Sequence, residues 1–363
     1  MTSNRVLGWV AALAGITSMA GCASVEIVPV SVTTTGAQIA APAKKEPASD
    51  PLKRDAELAG SEHKISLLEG AITAKLHAVV TPKIDTHSSP NKGILYTTID
   101  AKLGDQGQGE QTVHCAAYGD QVWPGALVAA DLRGEHDWAN DESEKTDAVA
   151  KTTTEITQTD LSVVGSRPVL AARGTVRDEA NEIVADRKVV VTQGSTFTLI
   201  CSDRTIGYEK RFRAFVSELV SSIKLDPPPS ASPRRVAIYK TTAEGKTAGY
   251  YYVATYAEAK GALRTYTSEV VLLGASGKVG GVDSVTSSTA NARGEESDIH
   301  VQGVLDNATL QTMTATRDAK GWSIRAGSIA GLELPVKRLP AKTSIMTQLS
   351  PGWLARMQSV ASK

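Results

Sequence analysis

The chain has 363 residues, 39 basic and 39 acidic side chains, and three cysteines. That length suits two domains of ordinary size, each able to bury a real core. The even charge balance excludes the strong basic excess of a nucleic-acid binder, so no nucleic-acid partner is expected.

At the N-terminus Arg5 precedes an apolar run, Val6 to Met19, that contains Leu7, Trp9, Val10, Leu13 and Ile16. A run of about 14 residues is too short to span a bilayer, which needs roughly 20, so residues 1–21 read as a cleaved signal. The run closes on Met19-Ala20-Gly21-Cys22, which resembles the lipobox of bacterial lipoproteins, with Met19 where leucine is usual. The resemblance implies a palmitate-bearing Cys22 as the mature N-terminus, and a membrane partner held through that lipid. Ala23, where aspartate would imply inner-membrane retention, implies the outer membrane facing the periplasm. Arg317 to Lys363 carries eight basic residues against Asp318 and Glu333. On an envelope protein such an end favours an anionic polymer or headgroups. In that oxidising compartment Cys115 and Cys201 are expected to form a disulfide. It would close a loop of more than about 80 residues, for which chain entropy assigns about 4 kcal/mol.

Residues 22–60 contain Thr33-Thr34-Thr35, Ala40-Ala41-Pro42 and Pro47 to Pro51. With almost no large apolar side chains after Val32 they read as a disordered tether with a reach of about 30–35 Å. Residues 61–225 read as a folded domain. Ser66 and Glu69 are spaced as a capping box, so a helix is predicted to about Gly70. A strand follows, because Ile72, Ala74, Leu76, Ala78 and Val80 alternate. Gly93 to Leu103 and Gln111 to Tyr118 read as strands, and Pro124 suits the first turn of a short helix carrying Leu127, Val128 and Leu132. Arg167 to Arg177, Glu182 to Thr192 and Ser195 to Ser202 read as three more strands. Tyr208, Phe212, Phe215, Val216, Leu219, Val220 and Ile223 then make one apolar helical stripe.

The predicted class for 61–225 is therefore α+β, an antiparallel sheet with a packed C-terminal helix. Gly165-Ser166-Arg167-Pro168, the hairpin after it, the Gly194 to Asp203 segment and the Phe212 to Leu225 helix resemble PsbP-like domains. That resemblance covers Gly165 to Leu225 well and implies binding and assembly roles; it transfers no site residue.

Residues 226–235, with Pro227-Pro228-Pro229 and Pro233, read as a semi-rigid linker. Residues 236–363 read as mainly β, a sandwich or open barrel. Seven short runs carry that reading: Val236 to Thr241, Ala248 to Tyr256, Ala262 to Leu273, Val279 to Ser288, Asp298 to Leu305, Thr309 to Arg317 and Gly321 to Ala326. A last short helix is predicted after Ser350-Pro351, with Trp353, Leu354 and Met357 on one face.

Motifs for chemistry are thin, and no cofactor or metal is expected. Ser61-x-x-Lys64 and Ser221-x-x-Lys224 have acyl-enzyme spacing without a companion Lys-Thr-Gly. Gly104, Gly107 and Gly109 lack the third glycine and following helix of a phosphate loop. Asp131, Glu135, His136, Asp137 and Asp141 lack calcium-loop spacing, and His114 beside Cys115 lacks a full zinc set. In Tyr250-Tyr251-Tyr252 the alternation of a strand puts Tyr250 and Tyr252 on one face, where tyrosines can stack on sugars or grip a protein. The expected function is a lipid-anchored, non-catalytic binding or assembly module for a protein or envelope polymer. The alternative is an envelope hydrolase with a triad dispersed in sequence, His136 or His300 serving as base.

Overall fold

The computed structural model describes residues 26–34, 58, 60–89, 93–104, 111–119, 122–133, 153–177, 183–193, 197–203, 205, 207–228, 231–243, 245–275, 278–305, 308–328, 332–333 and 336–340. Strand β1 (Glu26–Thr34) comes first. It is followed by β2 (Ser61–Leu67), β3 (Ile72–Ala78), β4 (Lys83–Ser89), β5 (Ile94–Lys102), β6 (Thr112–Gly119) and helix α1 (Pro124–Arg133). Then come β7 (Thr153–Val164), β8 (Arg167–Arg177), β9 (Ile183–Gln193), β10 (Phe197–Asp203), helix α2 (Glu209–Ser222) and β11 (Lys224–Leu225). The remaining strands are β12 (Arg235–Ala243), β13 (Lys246–Ala257), β14 (Leu263–Ala275), β15 (Lys278–Ala290) and β16 (Glu296–Leu305). The last four are β17 (Ala308–Asp318), β18 (Gly321–Ser328), β19 (Leu332–Glu333) and β20 (Lys337–Leu339).

These strands form three sheets. A seven-stranded sheet has the order β4-β5-β6-β10-β9-β8-β7, a three-stranded one β11-β3-β2, and a ten-stranded meander runs β1-β12 through β18 to β19, with β20 also on β18. All pairs are antiparallel. The α+β expectation is therefore corrected: among the described residues twenty strands stand against two α-helices, and the chain is mainly β. The seven C-terminal runs hairpin one into the next within one continuous antiparallel sheet.

The seven-stranded sheet is buried on both faces, which explains why its inner strands read as apolar runs. Period-two alternation sorts their side chains. Val113, Cys115, Ala117, Val169, Val190, Phe197, Leu199 and Cys201 face α2 and β3, meeting Phe212, Phe215, Val216, Leu219 and Val220. Leu170, Ala172, Val189, Val191 and Ile200 point the other way, onto Leu127, Val128 and Leu132 of α1 and onto Val236, Ile238, Tyr250, Val270 and Leu272 of the ten-stranded sheet. This second core thus draws on residues before and after the proline-rich 226–235 segment.

Local differences have local causes. Residues 61–67 form a strand rather than a helix: Ile65 and Leu67 alternate inward, and β2 pairs along its whole length with β3. Instead of a capping box, the Leu68 N–H donates to the buried Thr97 hydroxyl at 2.9 Å. Leu68, Glu69 and Gly70 all take positive φ to make the turn. Residues 26–34, expected within the disordered tether, form β1 and pair with β12. The helices at 124 and 209 lie where the sequence pattern put them. The helix expected after Ser350 lies outside the described residues.

Candidate functional site

The cysteines of β6 and β10 sit directly opposite each other in the ladder, with Cα atoms 4.0 Å apart, and Cys115 and Cys201 form a disulfide. Cys22 lies outside the described residues. Among the described residues, no helix is long and apolar enough to cross a membrane.

Tyr250 and Tyr252 do share a face, but it is the inward one. Tyr250 has no exposed surface and Tyr252 packs against the same core, because β7 and β8 of the seven-stranded sheet cover this side of β13. Burial raises both phenols well above their ordinary range. Tyr250 as a surface contact is thereby ruled out. Tyr251, on the opposite face, packs with Ala237, Val253 and Tyr239.

A cleft opens where α2 begins above β7, β8 and β9. Its floor is Ala171, Val190 and Phe212, and its rim carries Gln158, Asp160, Arg173, Lys188, Glu209 and Arg213. Lys188 replaces an apolar inward residue of β9 because acidic partners meet it there. Its Nζ lies 3.5 Å from Asp203 Oδ2 and 3.5 Å from Glu209 Oε1, and it donates to the Thr205 carbonyl. Asp203 is fully buried, and it accepts from the Gln111 amide at 2.9 Å and the Thr205 N–H at 2.8 Å. Burial pushes the Glu209 carboxyl up, but its own backbone N–H and Lys188 outweigh that and hold it below the usual value. Glu209 also sits in the first turn of α2, where the helix dipole favours a carboxylate. At the outer rim Arg213 and Asp160 stand 3.8 Å apart.

A second cluster lies on β5, β6 and β10. The register places Asp100 opposite His114 and His114 opposite Ser202. His114 Nδ1 bonds Asp100 Oδ1 at 2.6 Å, and both side chains are about half exposed. A carboxylate on Nδ1 fixes the imidazole orientation and leaves Nε2 free, the arrangement a general base uses toward a hydroxyl. Neither histidine singled out as a base in the sequence belongs to it: His300 is an exposed residue of β16 near the Thr314 hydroxyl, and His136 lies outside the described residues, as do Glu135, Asp137 and Asp141. Asp131 lies in α1, where its carbonyl accepts from Arg187. Ser61 and Lys64 lie on a strand rather than a helix, so a three-residue spacing turns them to opposite faces. Among the described residues, no three His, Cys, Asp or Glu side chains form a metal-binding group.

Sequence reasoning passed over Lys188, Asp203 and the Asp100–His114 pair. Each depends on strand register across 14 residues or more, for which no local motif exists; an inward lysine in the apolar run of β9 was the one available signal. Comparison with protein-family models, curated proteins and solved structures returned no match to this chain.

Proposed function

We propose that the protein is a lipid-anchored component of the bacterial envelope, held at the outer membrane through Cys22 and facing the periplasm, whose folded body binds a protein or envelope polymer without catalysing a reaction on it. The cleft at the start of α2 carries this reading. An apolar floor ringed by charged side chains from four elements has the layout of a recognition surface. Its charges are already paired with one another, which suits an interface that exchanges ion pairs with a partner more than a site poised for bond breaking. The resemblance of Gly165 to Leu225 to PsbP-like domains agrees with an assembly role.

The test uses a photo-crosslinking residue at the exposed Gln158, with capture from envelope extracts. One defined partner should be recovered, and the double charge reversal Asp160→Arg with Arg213→Glu should lower recovery about tenfold, equivalent to ~1.4 kcal/mol. Equal recovery with and without the reversal would remove the cleft from the account.

The Asp100–His114–Ser202 row favours a second reading, a serine hydrolase. If it holds, a fluorophosphonate probe labels the wild-type protein and neither Ser202→Ala nor His114→Ala. Absence of label on the folded wild-type protein eliminates this reading.

A further inference from the structure

Strand β1 constrains how the body sits relative to its anchor. Glu26, its first residue, pairs with Thr242, and Thr34, its last, pairs with Arg235. Glu26 therefore lies at the end of the ten-stranded sheet that also carries the β12–β13, β14–β15 and β16–β17 turns, at 243–246, 275–278 and 305–308. The opposite end carries the turns at 257–263 and 290–296. Strand β15 has 13 residues, so the two ends are on the order of 40 Å apart.

Cys22 precedes Glu26 by four positions. Four residues at full extension reach at most about 14 Å, less than half the length of the sheet. We infer that the sheet end formed by turns 243–246, 275–278 and 305–308 faces the phospholipid surface that holds the acylated Cys22, and that turns 257–263 and 290–296 point away from it. This rests on the lipid-anchor reading proposed above. The orientation is imposed by the four-residue reach from Cys22 to Glu26, which acts whatever the charge at this end. It therefore persists on zwitterionic vesicles and in high salt, where a headgroup-seeking basic patch would let go.

Full-length protein purified from membranes and reconstituted into phosphatidylcholine vesicles provides the test. Cys115 and Cys201 are bonded to each other and Cys22 is acylated on this reading, so a single introduced thiol takes the label. A fluorophore is placed at Lys246→Cys or at Arg293→Cys, both exposed turn positions at opposite ends, and quenched by nitroxide-headgroup lipid. Quenching at 246 should exceed that at 293 severalfold, unchanged in high salt. Equal quenching, or more at 293, overturns the orientation while leaving the anchor in place. Failure to sediment with vesicles at all removes the anchor reading, and the orientation falls with it.

Discussion

On one face of the seven-stranded sheet the apolar layer is closed by α2 and β3, all drawn from residues 61–225. On the other it is closed by α1 and by strands β12 to β15, which belong to a different sheet. The first core is cross-linked through its centre by Cys115–Cys201. Among the described residues the second has no covalent tie and relies on a polar lock instead. Asp283, fully buried on β15, accepts from the Gly125 N–H at 2.8 Å and the Ala126 N–H at 3.1 Å. Those donors open α1, so a carboxylate from one sheet caps a helix lying on another. At the far end of α1, Arg133 donates to the Val279 carbonyl at 2.8 Å. The contact is close enough that a Cβ on Gly281 would lie 2.0 Å from the Gly125 carbonyl oxygen. One face is thus held by a constraint on the unfolded chain, the other by hydrogen bonds and close approach in the folded one.

The largest expected effect separates the two. Replacing Cys115 and Cys201 together by alanine removes a cross-link spanning 86 residues, and chain entropy puts the loss at about 4–5 kcal/mol. Denaturant titration should show that fall, with native-state hydrogen exchange rising first in β6 and β10 while β12 to β15 keep their protection. Asp283→Ala acts on the other face. It leaves two buried N–H groups without acceptors and costs about 3 kcal/mol. Its exchange signature should appear in α1 and β15, with β6 and β10 spared. If both variants loosened the same strands, the two cores would be one cooperative unit and the contrast would fail.

Much of this architecture is legible from residue order alone. Strands β8 to β10 and β12 to β18 show as apolar runs between turn residues, and α2 shows as a stripe at i, i+4 and i+7. Strand β7 does not, because a register shift between Ile156 and Gln158 breaks its alternation. Strand β4, on the sheet edge, reads Lys-Ile-Asp-Thr-His-Ser-Ser and has no apolar face to declare itself. Alternation correctly paired Tyr250 with Tyr252, but what covers a strand face is set by tertiary packing, and here the covering strands, β7 and β8, belong to another sheet. The same limit hides Asp283, whose partners are 158 and 157 positions away. Local pattern encodes which way a side chain points; it does not encode what meets it.

The smallest expected effect belongs to neither core. Glu269 lies on the outer face of β14, opposite Tyr251 on β13 and Ser284 on β15. Burial pushes its carboxyl up to about 7, whereas in an unfolded chain a glutamate titrates near ~4.3. Between those values the folded protein keeps a proton that the unfolded chain has released. The contribution to stability is therefore full below about pH 4.3 and is lost as pH rises toward 7, levelling off above that. The full shift corresponds to about 4 kcal/mol, which the partial exposure of Glu269 screens to about 2 kcal/mol. Glu269→Gln keeps the shape and abolishes the titration, so the variant should match wild type near pH 4.5 and exceed it at pH 8. Urea midpoints across that range measure the gap directly. Parallel curves for the two proteins would mean that Glu269 is solvated in the folded state, and that the outer face of the ten-stranded sheet is open at this position.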